Sequence, residues 1–176
     1  AKKARASAKE PRDQLDALRL LAQILYSQKQ FEACKNAYVE ALTIDAHFVL
    51  ALNNLAYLLL QDMNNPQEAL EYSRRAARLD GGAEVQDTYG WNLTLLGRYA
   101  DALVPLNRAI EADPDSAIAL YHRAMTYRRL SEATTNPTEQ AAQLEQARAD
   151  ARRAEQLAAN SKDEANLANV RSLLKE

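Results

Sequence analysis

Cysteine, glycine, proline and histidine are all scarce: one, four, five and two residues among 176. The single cysteine, Cys34, excludes an internal disulfide framework. So few turn formers exclude a sandwich or barrel, which needs a tight turn every few residues. His47 and His122 share no ligand spacing, so no metal site and no cofactor are expected. No apolar run approaches the roughly 18–20 residues that span a bilayer. The longest, Leu50 to Leu60, is broken by Asn53 and Asn54. The first residues do not read as the apolar stretch of a signal peptide. There is no phosphate loop, no Gly-rich turn and no Ser-His-Asp arrangement, so an enzyme is not expected. Strong charge of one sign is missing too. The net charge is −2; residues 1–12 hold five cations against Glu10, a net +4, which leaves −6 on the rest. Such a body offers no basic face to displace counterions, so nucleic acid is not an expected partner.

What the chain does contain is helix-forming residues, with 34 alanines and 26 leucines. They recur at a fixed interval. Segments Asp16 to Gln28, Leu50 to Asp62, Glu84 to Leu96 and Ile118 to Leu130 superpose at a spacing of 34. Small residues coincide at Ala22, Ala56, Gly90 and Ala124. Larger ones coincide at Leu25, Leu59, Leu93 and Tyr127, and at Leu21, Leu55 and Tyr89, where Arg123 breaks the series. A small residue on an apolar helical face lets a second backbone approach, and its large neighbours fill the adjoining holes. Second helices are predicted at Phe31 to Ile44, Pro66 to Leu79 and Tyr99 to Ala112 from intervals of three, four and seven. Short breakers separate the helices at Lys29-Gln30, Asn64-Asn65 and Gly97-Arg98. Asp45-Ala46, Asp80-Gly81-Gly82 and Asp113-Pro114-Asp115 lie between the pairs.

Gly90, Tyr99, Ala102, Ala109 and Pro114 within residues 83–116 resemble the tetratricopeptide repeat. Ala22 with Ala41, and Ala56 with Ala76, resemble two further copies. The resemblance covers roughly residues 13–159. It implies an all-α, right-handed superhelical solenoid of helix-turn-helix repeats. The expected divisions are a basic segment 1–12, repeats at 13–48, 49–82 and 83–116, a divergent repeat with an insertion at 117–159, and a capping helix at 160–176. Departures are Cys34 in an alanine slot, Pro105 inside a helix that it should bend, and an excess of 11 residues between Ala109 and Ala154. That excess is placed in Ser131 to Gln140 as a longer turn or an extended helix. Asn160-Ser161 with Asp163 and Glu164 reads as a helix start, followed by a stripe of Leu167, Val170 and Leu174. Ala4, Ala6 and Ala8 read either as the tail of an earlier repeat or as a basic terminus.

The resemblance also implies a concave groove lined by the first helix of each pair, where a protein or peptide ligand binds. Files at the 34-residue spacing run Gln23, Tyr57, Trp91, Met125, then Arg19, Asn53, Asp87, Tyr121, then Tyr26, Leu60, Thr94, Arg128, with Asn54, His122 and Arg129 alongside. The expected groove residues are Arg19, Gln23, Asn53, Asn54, Tyr57, Asp87, Trp91, Tyr121, His122, Met125 and Arg128. Rings supply contact area at low entropic cost, and asparagine amides pair with a peptide backbone. The alternative is that the rings pack between neighbouring first helices. Glu84 and Thr88 stand where one subset of the family grips a carboxylate with cations, which disfavours that ligand. Two other readings stay open. One is a scaffold that self-associates into a homo-oligomer through its ends or convex face. The other is an accessory domain that positions a protein substrate for chemistry elsewhere in a longer chain.

Overall fold

The structure is a computed structural model that describes residues 10–161 and 164–175. Among them it contains nine helices and no strand. No helix of the described residues is long and apolar enough to cross a membrane. The chain divides into two compact units, Ala1–Leu79 and Asp80–Glu176.

The first unit holds two hairpins, α1 (Pro11–Ser27) with α2 (Phe31–Ile44), and α3 (Val49–Gln61) with α4 (Pro66–Leu79). Pro11 opens α1, where a missing N–H costs nothing. Asn65 precedes α4; its Oδ1 accepts the Glu68 N–H while its amide donates to the Glu68 carboxylate. Ala22 and Ala56 are fully buried. At Ala22 the notch receives α2 closely enough for the Cys34 thiol to donate to the Ala22 carbonyl at 3.3 Å. On the same helix Leu52, Leu55, Leu58 and Leu59 are buried as well. Lys35 pairs with Glu68 at 2.6 Å, and Arg75 donates to the Ala46 carbonyl at 2.7 Å.

The second unit holds α5 (Ala83–Leu95) with α6 (Tyr99–Ala112), α7 (Ala117–Ala133) with α8 (Pro137–Ser161), and α9 (Glu164–Lys175). Gly90 faces Leu106 of α6 so closely that an added Cβ would lie 2.6 Å from its Cγ. Ala124 packs in a cluster with Leu120, Ala151, Ala154 and Val170, so α9 covers α7 and α8. Three of the notches thus have a visible partner on another helix, and the fourth, Ala56, is fully buried. The helix α6 runs unbroken through Pro105. The carbonyl that loses its usual partner belongs to Asp101, an exposed residue.

The same joints recur along the chain. Lys29, Asn64 and Gly97 each adopt a left-handed conformation between the two helices of a pair, with φ of 57°, 48° and 74°. The backbone bonds Gln30 N–H to Leu25 O, Asn65 N–H to Leu59 O and Arg98 N–H to Leu93 O close the preceding helix ends. Between pairs, Asp45, Asp80 and Asp113 each accept the N–H two residues on.

Of the two alternatives for the fourth pair, the excess residues are helical: α7 has 17 residues against 13 in α5, and α8 has 25 against 14 in α6. One expectation needs correction. Ser161 ends α8 instead of starting a helix; its hydroxyl donates back to the Leu157 and Ala158 carbonyls. The apolar stripe of α9 includes Val170 and Leu173. Ala4, Ala6, Ala8 and Asp163, and the side chain of Leu174, lie outside the described residues.

Candidate partner-binding surfaces

In the first unit, α1 and α3 present their polar and aromatic residues to one cleft of about 240 Å³. Gln23 and Tyr26 of α1, Asn54 and Tyr57 of α3, and Tyr38 of α2 line it. Tyr57 stands 47% exposed and Tyr38 is buried. The Asn54 amide donates to the Tyr38 hydroxyl at 3.3 Å. Burial pushes the Tyr38 hydroxyl's pKa up, against the pull of that hydrogen bond. At the Tyr26 side, burial and the negative charge of Asp62 push the phenol up to about 12. Arg19 bridges Asp16 at 3.9 Å and Gln23 Oε1 at 3.4 Å. Asn53 is half-buried, with its Oδ1 buried and without a hydrogen-bond partner. Beneath the cleft, burial chiefly and Asp62 secondarily raise the Cys34 thiol, which keeps it protonated.

In the second unit, α5 and α7 are joined by polar contacts. The His122 Nδ1 meets both carboxylate oxygens of Asp87, at 2.9 and 3.0 Å, and so donates to it. Trp91 stacks on the His122 ring with centroids 4.3 Å apart and planes at 11°; Tyr121 tilts against His122 with centroids 5.8 Å apart and planes at 48°. Thr94 and Thr126 share a hydroxyl hydrogen bond of 2.6 Å. Asp87, Thr94 and His122 are buried, whereas Trp91, Tyr121, Met125 and Arg128 are half-buried. Arg128 bonds Glu132.

The expected residues therefore divide by unit and by exposure. Gln23, Asn54 and Tyr57 line one cleft; Arg19 bonds Gln23 on α1, and Asn53 lies on α3 beside Asn54. Trp91, Tyr121, Met125 and Arg128 keep accessible surface, while Asp87 and His122 bond to each other behind them. Leu60 and Thr94 of the third file are buried in packing. Sequence reasoning missed Tyr38 as a lining residue because its helical spacing placed it on the packed face. The available signal was chemical: Ser73 and Leu106 hold the corresponding places, and a buried phenol there needs a polar partner. It also missed Asp150. Arg123 forks onto that carboxylate with two bonds of 2.7 Å and donates a third to Asn107. The Asp150 hydrogen bond raises the guanidinium's already high pKa, against desolvation.

A family model described as tetratricopeptide repeat matches residues 15–48 and 49–82. No curated protein matches by sequence. A crystal structure of MamA protein aligns over 93% of this chain and 89% of its own, at 17% identity and a TM-score of 0.66. The Pseudomonas aeruginosa pilF structure aligns over 95% of this chain and 78% of its own, at 20% identity and a TM-score of 0.62. A tetratricopeptide repeat protein from Parabacteroides merdae ATCC 43184 aligns over 93% and 74%, at 15% identity and a TM-score of 0.56. At these identities the likeness is one of fold: an all-α helical repeat solenoid.

Proposed function

We propose, from the premise that this chain is a tetratricopeptide-repeat protein and so a protein-interaction module in general, that it is non-catalytic and holds an extended peptide or a partner helix against the first helices of its pairs. The observation that carries this reading is the cleft in the first unit. Three residues expected at a groove from sequence alone, Gln23, Asn54 and Tyr57, line one concavity. Its walls are regular helices, so the ordering cost of binding falls mainly on the partner. Asn54 and Gln23 offer amides to a peptide backbone, and the rings offer area with few rotatable bonds. In the second unit Trp91, Tyr121, Met125 and Arg128 serve the same purpose, with the Asp87–His122 bond fixing the ring on which Trp91 rests. The non-catalytic part of the reading is supported by Cys34, whose thiol is buried and held protonated.

The test is photo-crosslinking in the native host. With p-benzoylphenylalanine in place of Tyr57, a discrete protein partner is captured; with the same group in place of exposed Val104 on α6, it is not. Equal capture at both places overturns the reading. Self-association is favoured by one separate observation. Leu21 is 45% exposed on α1 beside Leu20 and Ile24, whereas its register equivalent Leu55 is fully covered. A monomeric mass by light scattering at every concentration would exclude that alternative.

A further inference from the structure

We propose that the cleft between α1 and α3 receives one glutamine side chain of the partner segment, an inference that rests on the reading that the first-helix surface holds the partner. Its dimensions suit one side chain. At about 240 Å³ it lies below the roughly 300–1,000 Å³ of pockets that enclose a whole small molecule. Three phenols and two amides line it: Tyr26, Tyr38, Tyr57, Gln23 and Asn54. None is aliphatic, so a wholly apolar guest would strip water from polar groups without replacing its hydrogen bonds. None is charged either, so a guest with a full charge would give up its water and meet no opposite charge in the lining. The cleft therefore suits a guest that is polar and neutral.

Hydrogen-bonding groups then select among neutral guests. Tyr38, only 5% exposed, closes the floor. Among the described residues its hydroxyl makes one bond, accepted from the Asn54 amide at 3.3 Å, so its own hydrogen is unspent. Asn54 gives that N–H, and its carbonyl oxygen takes no bond among the described residues. On the α1 wall the Gln23 oxygen is engaged by Arg19 at 3.4 Å, which leaves the Gln23 amide to donate. A guest thus meets a donor and an acceptor side by side, Tyr38 and Asn54, with a second donor at Gln23. A primary carboxamide answers that set. Its oxygen accepts two bonds, and the N–H on the same edge donates to Asn54. A backbone amide points its C=O and N–H to opposite sides and cannot meet both neighbours. A serine hydroxyl donates and accepts, but its short side chain leaves most of the cleft unfilled. Glutamine, one methylene longer than asparagine, reaches further toward the buried hydroxyl. Glutamate is the stringent rival, since its carboxylate would compete for Arg19, which lies outside the lining and is offset by Asp16.

The experiment is a chemical-shift titration of the whole isotope-labelled chain with four capped pentapeptides, Gly-Gly-X-Gly-Gly, where X is glutamine, glutamate, 5-oxonorleucine or glycine. 5-Oxonorleucine keeps the size and carbonyl oxygen of glutamine and carries methyl in place of the amide NH2. The glutamine peptide binds about fivefold tighter than this ketone peptide, the worth of one hydrogen bond, and ahead of the other two. Asn54→Leu erases the lead over the ketone, and Tyr38→Phe weakens both peptides. Ketone equal to glutamine, glutamate preferred, the glycine peptide as tight as glutamine's, or a lead untouched by Asn54→Leu each overturns the inference. If ketone equals glutamine while Tyr57→Ala still weakens both, the first-helix surface stands as a binding site and only the glutamine assignment falls. If no peptide shifts a resonance at millimolar concentration, the glutamine assignment is overturned, and the crosslinking at Tyr57 decides the wider reading by itself. Circular dichroism verifies that the variants are folded; Tyr38→Phe keeps the buried ring, and Tyr57 is exposed. Should Asn54→Leu fail to fold, Tyr38→Phe decides, and an unchanged affinity for the glutamine peptide overturns the inference.

Discussion

Gly90 is the notch with the least room. A methyl group there would sit 2.6 Å from Leu106 Cγ and 2.9 Å from its Cδ2, and Leu106 is fully buried with nowhere to retreat. Replacing glycine by alanine inside a helix ordinarily stabilises by up to about 1 kcal/mol. Here overpacking, which costs about 1–3 kcal/mol, outweighs that gain. Gly90→Ala is therefore expected to lower stability by about 1–2 kcal/mol, seen as an earlier urea midpoint in far-ultraviolet circular dichroism; an unchanged or later midpoint would show that the notch is loose. Residue-scale reasoning from sequence found this site because a small residue recurs there. It could register Arg123 only as a break in the same kind of series. Arg123 occupies the place of Leu21, Leu55 and Tyr89, and its reason is a buried carboxylate 27 residues away on another helix. A spacing pattern reports that a position differs, whereas the partner that pays for the buried charge emerges only once α7 and α8 are packed.

At the scale of the element, the turn inside each of the first three pairs requires one left-handed residue. Gly97 suits it; Lys29 and Asn64 occupy it at a cost, since a Cβ crowds the following carbonyl in that conformation. Lys29→Gly is expected to raise stability by about 0.5–1 kcal/mol, and Gly97→Ala to lower it by about 1 kcal/mol. Opposite signs for these two substitutions in urea unfolding are the check; the same sign for both would mean that the left-handed turn is not what limits these joints. The turns were legible because breakers and caps are local chemistry. The three second helices begin and end where their periodicity placed them, at Phe31–Ile44, Pro66–Leu79 and Tyr99–Ala112. The fourth pair was not legible in this way. Its corresponding place is Ser131, which has no strong breaking tendency, and α7 continues to Ala133 before Asn136-Pro137 starts α8. Alanine-rich sequence with weak punctuation allows either a long turn or a long helix, and packing against α7 and α9 favours the helix.

For the molecule as a whole, the sequence supplied two reporters, one in each compact unit. Cys34 is the sole thiol and lies in the first; Trp91 is the sole tryptophan and lies in the second, stacked on His122. The repeat fold was legible because its periodicity is written into every copy. The candidate surfaces were legible only in part: a file of residues at constant spacing shares a direction but does not reveal which members are covered, as buried Asp87 and exposed Tyr57 show. The contact of α9 with its neighbours makes the same point energetically. In the second unit α9 packs on α7 and α8 through Val170, which is fully buried against Leu120, Ala124, Ala151 and Ala154. Val170→Ala removes two methyl groups from that contact and leaves a cavity. It is expected to cost about 1.5–3 kcal/mol, read as an earlier urea midpoint in Trp91 fluorescence. Because Trp91 lies on α5 and does not belong to the α9 cluster, a shift there reports loss of cooperative structure and not a local change around the probe. A midpoint that stays in place would mean that α9 is bound too weakly to stabilise the hairpins it covers.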